Sequence, residues 1–372
     1  MADTAVTWHR IGTRAELEAT TPKRVVLGAT PVALFVHDSA VRAIADRCNH
    51  RGGPLSEGTC TGEYVRCPWH GWEYSVVTGR GPAGFDEEQV AVFAVEERDD
   101  GVFVRTPATE PRRLVKHKPS HLLEDHPKGP DDPPRVLGIS TTALDDGLPR
   151  YSTSEALVAE AMDEAKQLGA DTQLITLRSL AFHECEGNYS KAAAACTWPC
   201  AITERDPADE MRVVYEALVH WADVIVVGTP IRWGQPSSLY YKMAERLNCV
   251  QNQITTHNRL LIENKVASFI ITGGQDNVQG VAGTMLGFWA ELGFVFPPFP
   301  YIGHTRGWNA EDMQNNVRFV RKSVELKEGA RQLVTRSLAT WRALDTAASA
   351  AAAAQPMQRA GRKAHQAPPG VG

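Results

Sequence analysis

Two stretches decide how this chain begins to fold: Cys48-Asn49-His50-Arg51-Gly52-Gly53-Pro54-Leu55 and Cys67-Pro68-Trp69-His70-Gly71-Trp72. Each holds one cysteine and one histidine, spaced C-x-H in the first and C-x-x-H in the second, with sixteen residues between them. Thiolates and imidazoles bind transition metals. Glycine and proline surround both pairs, as expected where loops turn tightly. The stretches therefore predict one metal centre with four protein ligands: Cys48, His50, Cys67 and His70.

This ligand set matches a Rieske 2Fe-2S centre, in which two histidines replace two cysteines on one of the irons. Neutral imidazoles leave less negative charge on that iron, which raises the reduction potential to about −150 to +300 mV for the class. The surrounding residues resemble the cluster-binding loops of soluble Rieske ferredoxins and of the Rieske domains of ring-hydroxylating oxygenases, over about residues 6–107. A structural zinc site is the alternative, because two Cys and two His also satisfy tetrahedral zinc.

Short β-type runs flank the two loops, at residues 32–36, 41–45, 90–95 and 102–104. Asp, Gly and Pro separate these runs, which is typical of an all-β domain. Asp100-Gly101 predicts a hairpin turn, because glycine tolerates the positive φ that such a turn needs. We therefore expect an all-β Rieske domain over residues 6–107, followed by a proline-rich linker over residues 108–134.

Beyond the linker the hydrophobic pattern alternates between buried strands and amphipathic helices. The predicted strands are 136–140, 172–177, 224–228, 266–272 and 295–302, and the predicted helices are 155–168, 209–221, 238–247, 278–292 and 311–344. This alternation predicts a second domain over residues 135–345, an α/β fold with a doubly wound, five-stranded parallel sheet. Residues 346–372, rich in Ala, Gln and Pro, are expected to form a disordered tail.

In a doubly wound sheet the ligand lies beyond the carboxyl ends of the strands. After the first predicted strand come two hydroxyl-rich groups, Ser140-Thr141-Thr142 and Ser152-Thr153-Ser154, with Arg150 just before the second. Hydroxyls and backbone N–H groups at a helix N-terminus bind phosphate. Helix capping alone is the alternative explanation. A G-x-G-x-x-G dinucleotide fingerprint is absent from the sequence.

Two further loops follow predicted strands, Thr229-Pro230-Ile231-Arg232-Trp233-Gly234-Gln235 and Thr272-Gly273-Gly274-Gln275. In their sequences and in their order along the chain, they resemble loops of the NADPH-dependent FMN reductases and iron-sulfur flavoproteins of the flavodoxin-like superfamily, over about residues 135–302. The resemblance implies bound FMN. It implies a phosphate site of Ser140, Thr142, Arg150, Ser152, Thr153 and Ser154, and ring contacts from Thr229, Pro230, Ile231, Arg232, Trp233 and Gly234 on one side and Thr272, Gly273, Gly274 and Gln275 on the other.

Three features depart from that family. The phosphate loop is longer and contains Asp145 and Asp146, and position 232 is Arg where the family commonly has an aromatic residue. The iron-sulfur flavoproteins also hold a four-iron cluster on four closely spaced cysteines, a pattern that Cys185, Cys196 and Cys200 do not match. We interpret residues 185–202 as an active-site or interface loop whose thiols pack or respond to redox conditions.

Composition excludes several classes of function. The 372 residues are 43% hydrophobic and 22% charged with a net charge of −5, so nucleic acid is not an expected partner. Apolar runs stay below the roughly 18 residues of a membrane helix, and Met1-Ala2-Asp3 does not open a basic and apolar leader. Seven cysteines suit metal or redox chemistry in a reducing compartment better than a disulfide framework. We expect a cytoplasmic protein without membrane contacts.

The two expected cofactors suggest one electron path. A nicotinamide delivers two electrons as a hydride and a Rieske centre accepts one, whereas a flavin exchanges either number. We therefore predict an NAD(P)H-dependent oxidoreductase that couples FMN to the cluster and passes electrons to an oxygenase or a small-molecule acceptor; the reverse direction stays open. A non-catalytic electron carrier without a nicotinamide site is the alternative. No residue is assigned an acid-base role, and a homo-oligomer, dimer or tetramer, is implied by the resemblance only.

Overall fold

The computed structural model describes residues 6–85, 87–108, 123, 126–129, 131–144, 151–273, 277–307 and 309–352. These residues form two compact units. The first contains the described parts of Met1–Pro127, Ser179–His220 and Leu239–Leu261, and the second those of Lys128–Arg178, Trp221–Ser238 and Ile262–Gly372. The first unit thus joins the N-terminal domain to two segments that follow the predicted linker in sequence.

Three small antiparallel sheets build the N-terminal part of the first unit, in the strand orders β1-β10-β9, β2-β3-β4-β8 and β5-β6-β7. A capping box of Thr13 and Glu16 starts α1, which is the only α-helix among the described residues of this part. The predicted hairpin is present, because β9 and β10 pair directly on either side of Asp99-Asp100. The elements are β1 (Thr7–Gly12), α1 (Arg14–Thr20), β2 (Lys23–Leu27), β3 (Thr30–His37), β4 (Ala40–Ala45), β5 (Thr59–Thr61), β6 (Tyr64–Arg66), β7 (Glu73–Ser75), β8 (Val92–Phe93), β9 (Val95–Arg98) and β10 (Gly101–Thr106).

Five parallel strands in the order β12-β11-β13-β14-β15 form the sheet of the second unit, which confirms the predicted doubly wound fold. From here to the last described residue, the chain runs through β11 (Arg135–Ser140), α2 (Thr153–Gln167), β12 (Asp171–Thr176), α3 (Ala201–Arg205), α4 (Met211–Tyr215), β13 (Val224–Pro230), α5 (Ser238–Arg246), α6 (Asn248–His257), β14 (Val266–Gly273), α7 (Val278–Leu292), β15 (Tyr301–Thr305), α8 (Ala310–Lys322) and α9 (Val324–Ala352). Helices α3, α4 and α6, together with all of α5 after Ser238, belong to the first unit.

The central strands of this sheet are covered on both faces. Every residue of β13 and β14 is buried, as expected for parallel strands between two helical layers. On one face Ile270 shares a core with Val158 of α2 and Leu333 of α9. On the opposite face the neighbouring Phe269 meets Trp289 of α7, with ring centroids 6.0 Å apart. Successive strand residues point to opposite faces, so both layers are anchored on β14.

Some predicted boundaries were wrong. The last strand begins at Tyr301 rather than at Val295, because Pro297, Pro298 and Pro300 have no N–H to donate to a ladder. The run 90–95 is divided between β8 and β9. Every helix in the described ranges is too short or too polar to cross a membrane.

The helix predictions also need correction. The helix predicted over 311–344 is interrupted at Ser323, where the backbone is extended and separates α8 from α9. Helix α9 continues to Ala352, so the tail predicted from residue 346 begins inside it, and residues 353–372 lie outside the described residues. The helix predicted over 209–221 is α4 followed by a wider π-helical turn, Glu216–Trp221. Helix α6 was not predicted.

Gly228 sets the approach of β13 to α2. A Cβ on Gly228 would lie 2.5 Å from Cγ2 of Val158 and 3.3 Å from the carbonyl oxygen of Ser154. Gly228→Ala should therefore lower the free energy of unfolding by about 1–3 kcal/mol through overpacking, measured by chemical denaturation. The matched control is Gly283→Ala in α7, whose added Cβ meets nothing within 4 Å and which should not lose stability. Equal losses in the two variants would contradict this account.

Candidate functional site

The two predicted ligand loops close on their own cysteines with the same backbone pattern. The amide of Cys48 donates to the Gly53 carbonyl at 2.8 Å, and the amide of Cys67 donates to the Trp72 carbonyl at 2.7 Å. In each loop the amide of the glycine four residues after the cysteine donates to the cysteine carbonyl. The distances are 2.9 Å for Gly52 and 3.0 Å for Gly71. Those glycines have φ of +81° and +79°, where a side chain is disfavoured. The glycines of the sequence pattern therefore let each loop fold back on its ligand.

The four predicted metal ligands meet as two like pairs. The Nδ1 atoms of His50 and His70 lie 3.1 Å apart, and the thiols of Cys48 and Cys67 hydrogen-bond to each other. Within the described ranges, no three His, Cys, Asp or Glu side chains converge on a single ion position. Tetrahedral zinc needs four ligands on one ion, whereas each iron of a Rieske cluster takes two from the protein. The arrangement fits a 2Fe-2S cluster better than zinc.

Protonation at this site suits metal binding. Burial lowers the pKa of His70 to about 4, so the imidazole is neutral, the form that binds a metal. The hydrogen bond from Cys48 lowers the pKa of Cys67 to about 7, and the same contact together with burial raises the pKa of Cys48. Cys48 is thus the donor of this hydrogen bond, and Cys67 is the thiol that loses its proton first. A metal that binds both sulfurs must displace the shared proton.

A buried tyrosine lies beside the thiol pair. The hydroxyl of Tyr74, on β7, is 3.3 Å from Sγ of Cys48. Burial raises the pKa of Tyr74, so its hydroxyl keeps its hydrogen and donates toward the sulfur. Hydrogen bonds to cluster sulfurs raise the reduction potential, because they stabilise the added negative charge.

Close packing brings the two loops together. A Cβ on Gly53 would lie 2.8 Å from Sγ of Cys67 and 3.0 Å from Cγ of Trp69, so glycine is needed for this approach. The indole of Trp72 stacks on the imidazole of His50, with centroids 4.0 Å apart and planes 6° from parallel. The ligands are therefore fixed by packing as well as by their loops.

The outer nitrogens of the two histidines contact residues far away in sequence. Nε2 of His50 donates to Oε2 of Glu204 at 3.0 Å, across a separation of 154 residues. Nε2 of His70 donates to the carbonyl of Ala195. The sequence assigned neither residue to the metal centre, since no spacing motif connects them to the ligand loops, although Ala195 lies in the stretch 185–202 interpreted as an active-site or interface loop.

Three predicted flavin-binding loops converge at the carboxyl edge of the sheet. The hydroxyl of Ser237 donates to the Thr141 carbonyl at 2.6 Å, and its amide donates to the Thr229 hydroxyl at 3.2 Å. The hydroxyls of Thr153 and Thr272 lie 2.6 Å apart. The loops after β11, β13 and β14 therefore meet at the start of α2, where strand order reverses and ligands bind in this class of sheet.

The predicted phosphate residues surround the N-terminus of α2. Ser152 caps that helix, because its hydroxyl accepts from the Glu155 amide at 3.4 Å. Helix capping, the alternative role considered for this hydroxyl group, is therefore present. Ser154, in the first turn of α2, is buried, and Thr142 is buried as well. Ser140 instead donates to the Glu155 carboxylate at 2.6 Å, and Arg178 binds the same carboxylate. Arg150, Asp145 and Asp146 lie outside the described residues.

The predicted ring-binding residues divide into a buried and an exposed group. Thr229, Pro230 and Ile231 are buried, and a Cβ on Gly273 would lie 2.8 Å from Cβ of Ile231. Trp233 is 91% exposed in a tight turn with φ of +52°, followed by Gly234, and Arg232 is also exposed. Gly274 and Gln275 lie outside the described residues. Clustered hydroxyls, a helix N-terminus and a loop edge with no room for a Cβ fit a flat ring that carries a phosphate.

The fold defines a redox protein with an antiparallel β Rieske-type domain followed by a flavodoxin-like α/β domain. A Rieske [2Fe-2S] domain model matches residues 7–94, and an NADPH-dependent FMN reductase model matches residues 135–308. The chain belongs to the Rieske [2Fe-2S] family and carries an NADPH-dependent FMN reductase domain after it. These two domains imply a 2Fe-2S cluster and FMN as cofactors.

Three relatives show how the similarity is distributed. Ferredoxin CarAc of Metapseudomonas resinovorans is 32% identical over 98 residues, which are 26% of this chain and 92% of that protein. Oxidoreductase NdmD of Pseudomonas putida is 42% identical over 77 residues, 19% of this chain and 12% of that protein. The 8-demethyl-8-aminoriboflavin-5'-phosphate synthase of Streptomyces davaonensis is 24% identical over 160 residues, 40% of this chain and 56% of that protein. The chain thus spans most of the ferredoxin but only part of the other two.

The contact at Gly53 predicts a defect in cluster assembly. Gly53→Ala should lower the affinity for the cluster roughly tenfold, because its Cβ would displace the Cys67 sulfur. Iron per chain and visible absorbance after reconstitution measure this. Gly283→Ala, whose added Cβ meets nothing within 4 Å and whose φ lies outside the left-handed region, is the control and should load normally. Full iron content in Gly53→Ala would contradict the proposed packing.

The hydroxyl of Tyr74 predicts a change in reduction potential. Tyr74→Phe removes the donor to Cys48, so the potential should fall by the equivalent of about 1 kcal/mol, the usual net contribution of one hydrogen bond. Spectroscopic redox titration measures the shift. Tyr64→Phe on the neighbouring β6 is the matched control. An unchanged or higher potential in Tyr74→Phe would show that the hydroxyl does not donate to the bound cluster.

Proposed function

We propose that this chain is an NAD(P)H-dependent oxidoreductase that couples FMN to its Rieske cluster and passes electrons to a redox partner protein or a small-molecule acceptor. Its membership of a Rieske family and its FMN reductase domain support a flavin and iron-sulfur redox role. The proposal adds the nicotinamide, the coupling of the two cofactors and the acceptor.

One observation supports the coupling of the cluster to FMN. Both cluster histidines bond through Nε2 to residues of the segment that the FMN reductase model matches, namely Glu204 and Ala195. A ferredoxin domain that acted independently of this region would need no such partners. The contacts support a cluster that works with the reductase domain of its own chain.

The residues of the cluster site have distinct tasks in this proposal. Cys48 and Cys67 would hold one iron and His50 and His70 the other, in agreement with the two like pairs. None of the four is more than 5% exposed, so water is excluded from the ligand atoms. The imidazoles are held at both nitrogens, which fixes their orientation.

The residues of the sheet edge are proposed to bind FMN. The start of α2, with Ser152, Thr153 and Ser154, presents hydroxyls and backbone N–H groups to the phosphate, and the loops after β13 and β14 border the ring. When bound, FMN exchanges electron pairs with a nicotinamide and single electrons with an iron-sulfur cluster. Arg178 offsets the charge of Glu155 close to the proposed phosphate position.

Anaerobic titration with NADH and with NADPH tests the proposal on the purified full chain. Iron and flavin are quantified first, and both should be present. One of the nucleotides should bleach the flavin absorbance and then the cluster absorbance. In Cys67→Ser, which loses a proposed iron ligand, the nucleotide should still bleach the flavin, but reduction of an added one-electron acceptor should fall at least about tenfold.

Cys60→Ser is the matched control, because Cys60 is an exposed thiol on β5 away from the proposed ligands. It should behave as the parent. If dithionite bleaches both cofactors while neither nucleotide does, the alternative function is correct: the chain is a non-catalytic electron carrier without a nicotinamide site. If the flavin is bleached but the cluster stays oxidised, the coupling is refuted.

A further inference from the structure

The segment that contacts the cluster histidines lies entirely in the first unit. We call residues 188–205 the cap segment; it runs from a short turn at Asn188–Ser190 through a second at Ala193–Ala195 to the end of α3. It lies between β12 and β13 in sequence. Neither the sequence pattern nor the family match assigns it a role at the iron-sulfur site.

The cap segment contacts both His50 and His70, which together form what we call the histidine side of the cluster. At its C-terminal end Glu204 accepts from Nε2 of His50, and the side chains of both residues have no exposed surface. At its middle the Ala195 carbonyl accepts from Nε2 of His70, which is 1% exposed. The outer edges of both imidazoles are therefore covered by the cap segment.

Two cationic side chains fasten the cap segment to the second ligand loop. Nη1 of Arg205 donates to the His70 carbonyl at 2.6 Å, and Nζ of Lys191 donates to the Trp69 carbonyl at 3.1 Å. Glu186 binds Arg205 from the other side. The cap segment is therefore held to the second ligand loop by several hydrogen bonds and not by one contact.

A buried ion pair fixes the helix that carries Glu204. Arg246 donates to both carboxylate oxygens of Asp209, at 2.9 Å and 2.7 Å, and to the hydroxyl of Thr203 at 2.8 Å. The side chains of Arg246 and Asp209 have no exposed surface. Thr203 immediately precedes Glu204, so this network holds the carboxylate in place.

We propose that the cap segment is an intramolecular docking partner for the histidine side of the cluster, and that Glu204 is the positioning residue that holds and tunes the His50 ligand. The histidine side is then committed to the reductase region of the same chain and closed to a separate redox protein. That electrons pass between FMN and the cluster rests on the proposed function; the cap and the role of Glu204 do not.

The chemical effect of Glu204 follows from the bond it accepts. A carboxylate that accepts from the outer N–H makes the imidazole a stronger electron donor to its metal. The negative charge also opposes the addition of an electron nearby. Both effects lower the reduction potential. The Tyr74 hydroxyl acts in the opposite sense on the thiol side.

Redox titration of the cluster in the full chain tests this role, with electron paramagnetic resonance (EPR) at one fixed pH and dithionite as reductant. Glu204→Gln keeps the size but offers a weaker, neutral acceptor, so reduction should become about tenfold more favourable, or 59 mV for one electron. The g-values should change as well. Glu204→Asp keeps the carboxylate and should return most of the shift. No nucleotide is used, so a failure here leaves the proposed function standing, and the reverse also holds.

Asp206→Asn is the matched control, because Asp206 follows Glu204 by two residues and binds His183 instead of a cluster ligand. Its potential and g-values should equal those of the parent. If Glu204→Gln also equals the parent, Glu204 does not position His50 and the proposal is wrong.

Hydroxyl-radical footprinting of the unaltered, cluster-loaded chain tests the cap without any substitution. The side chains of His183, 60% exposed, and Trp233, 91% exposed, serve as reactive references. His50 and His70 should be protected from oxidation. Oxidation of either at the rate of His183 would show an open histidine side and overturn the proposal, even if every Glu204 variant failed to fold.

Discussion

A buried imidazole needs an acceptor for its outer N–H, and this requirement organises the first unit. Each cluster histidine turns Nδ1 toward the metal position, which leaves Nε2–H without water. An unsatisfied buried donor costs roughly 1–3 kcal/mol. The chain meets both needs from the cap segment, through Glu204 and the Ala195 carbonyl. The N-terminal domain therefore becomes one compact body with part of the reductase sequence, and the cluster site is complete only with both.

The two sides of the proposed cluster position have opposite electrostatic surroundings. The thiol side receives a protonated tyrosine hydroxyl, and the histidine side faces a carboxylate. The first stabilises added negative charge and the second opposes it, so the potential is a balance that either residue can move. Arg51, with Nη2 3.8 Å from the Glu204 carboxylate, moderates the second effect. If the proposed roles hold, side chains outside the ligand set would adjust the reduction potential.

Sequence patterns identified those parts of the molecule that local chemistry determines. The spacing of Cys48, His50, Cys67 and His70 predicted the cluster loops. The alternation of strands and helices predicted a parallel sheet with the correct number of strands, five. The patterns failed where distant residues decide. Glu204 carries no local mark of its task, because its partner is 154 residues away. The start of β15 failed for another reason: an apolar run looks like a strand even where prolines remove the donors that a ladder requires.

The interleaving of the two units has a consequence for biosynthesis. The first unit draws on segments as late as Leu239–Leu261, so it is not whole until the ribosome has made residues well beyond the linker. An emerging N-terminal domain must wait with its histidine edge uncovered while much of the reductase sequence is translated. Cutting the chain at the predicted linker would not separate the two units, because the first unit would lose Ser179–His220 and Leu239–Leu261.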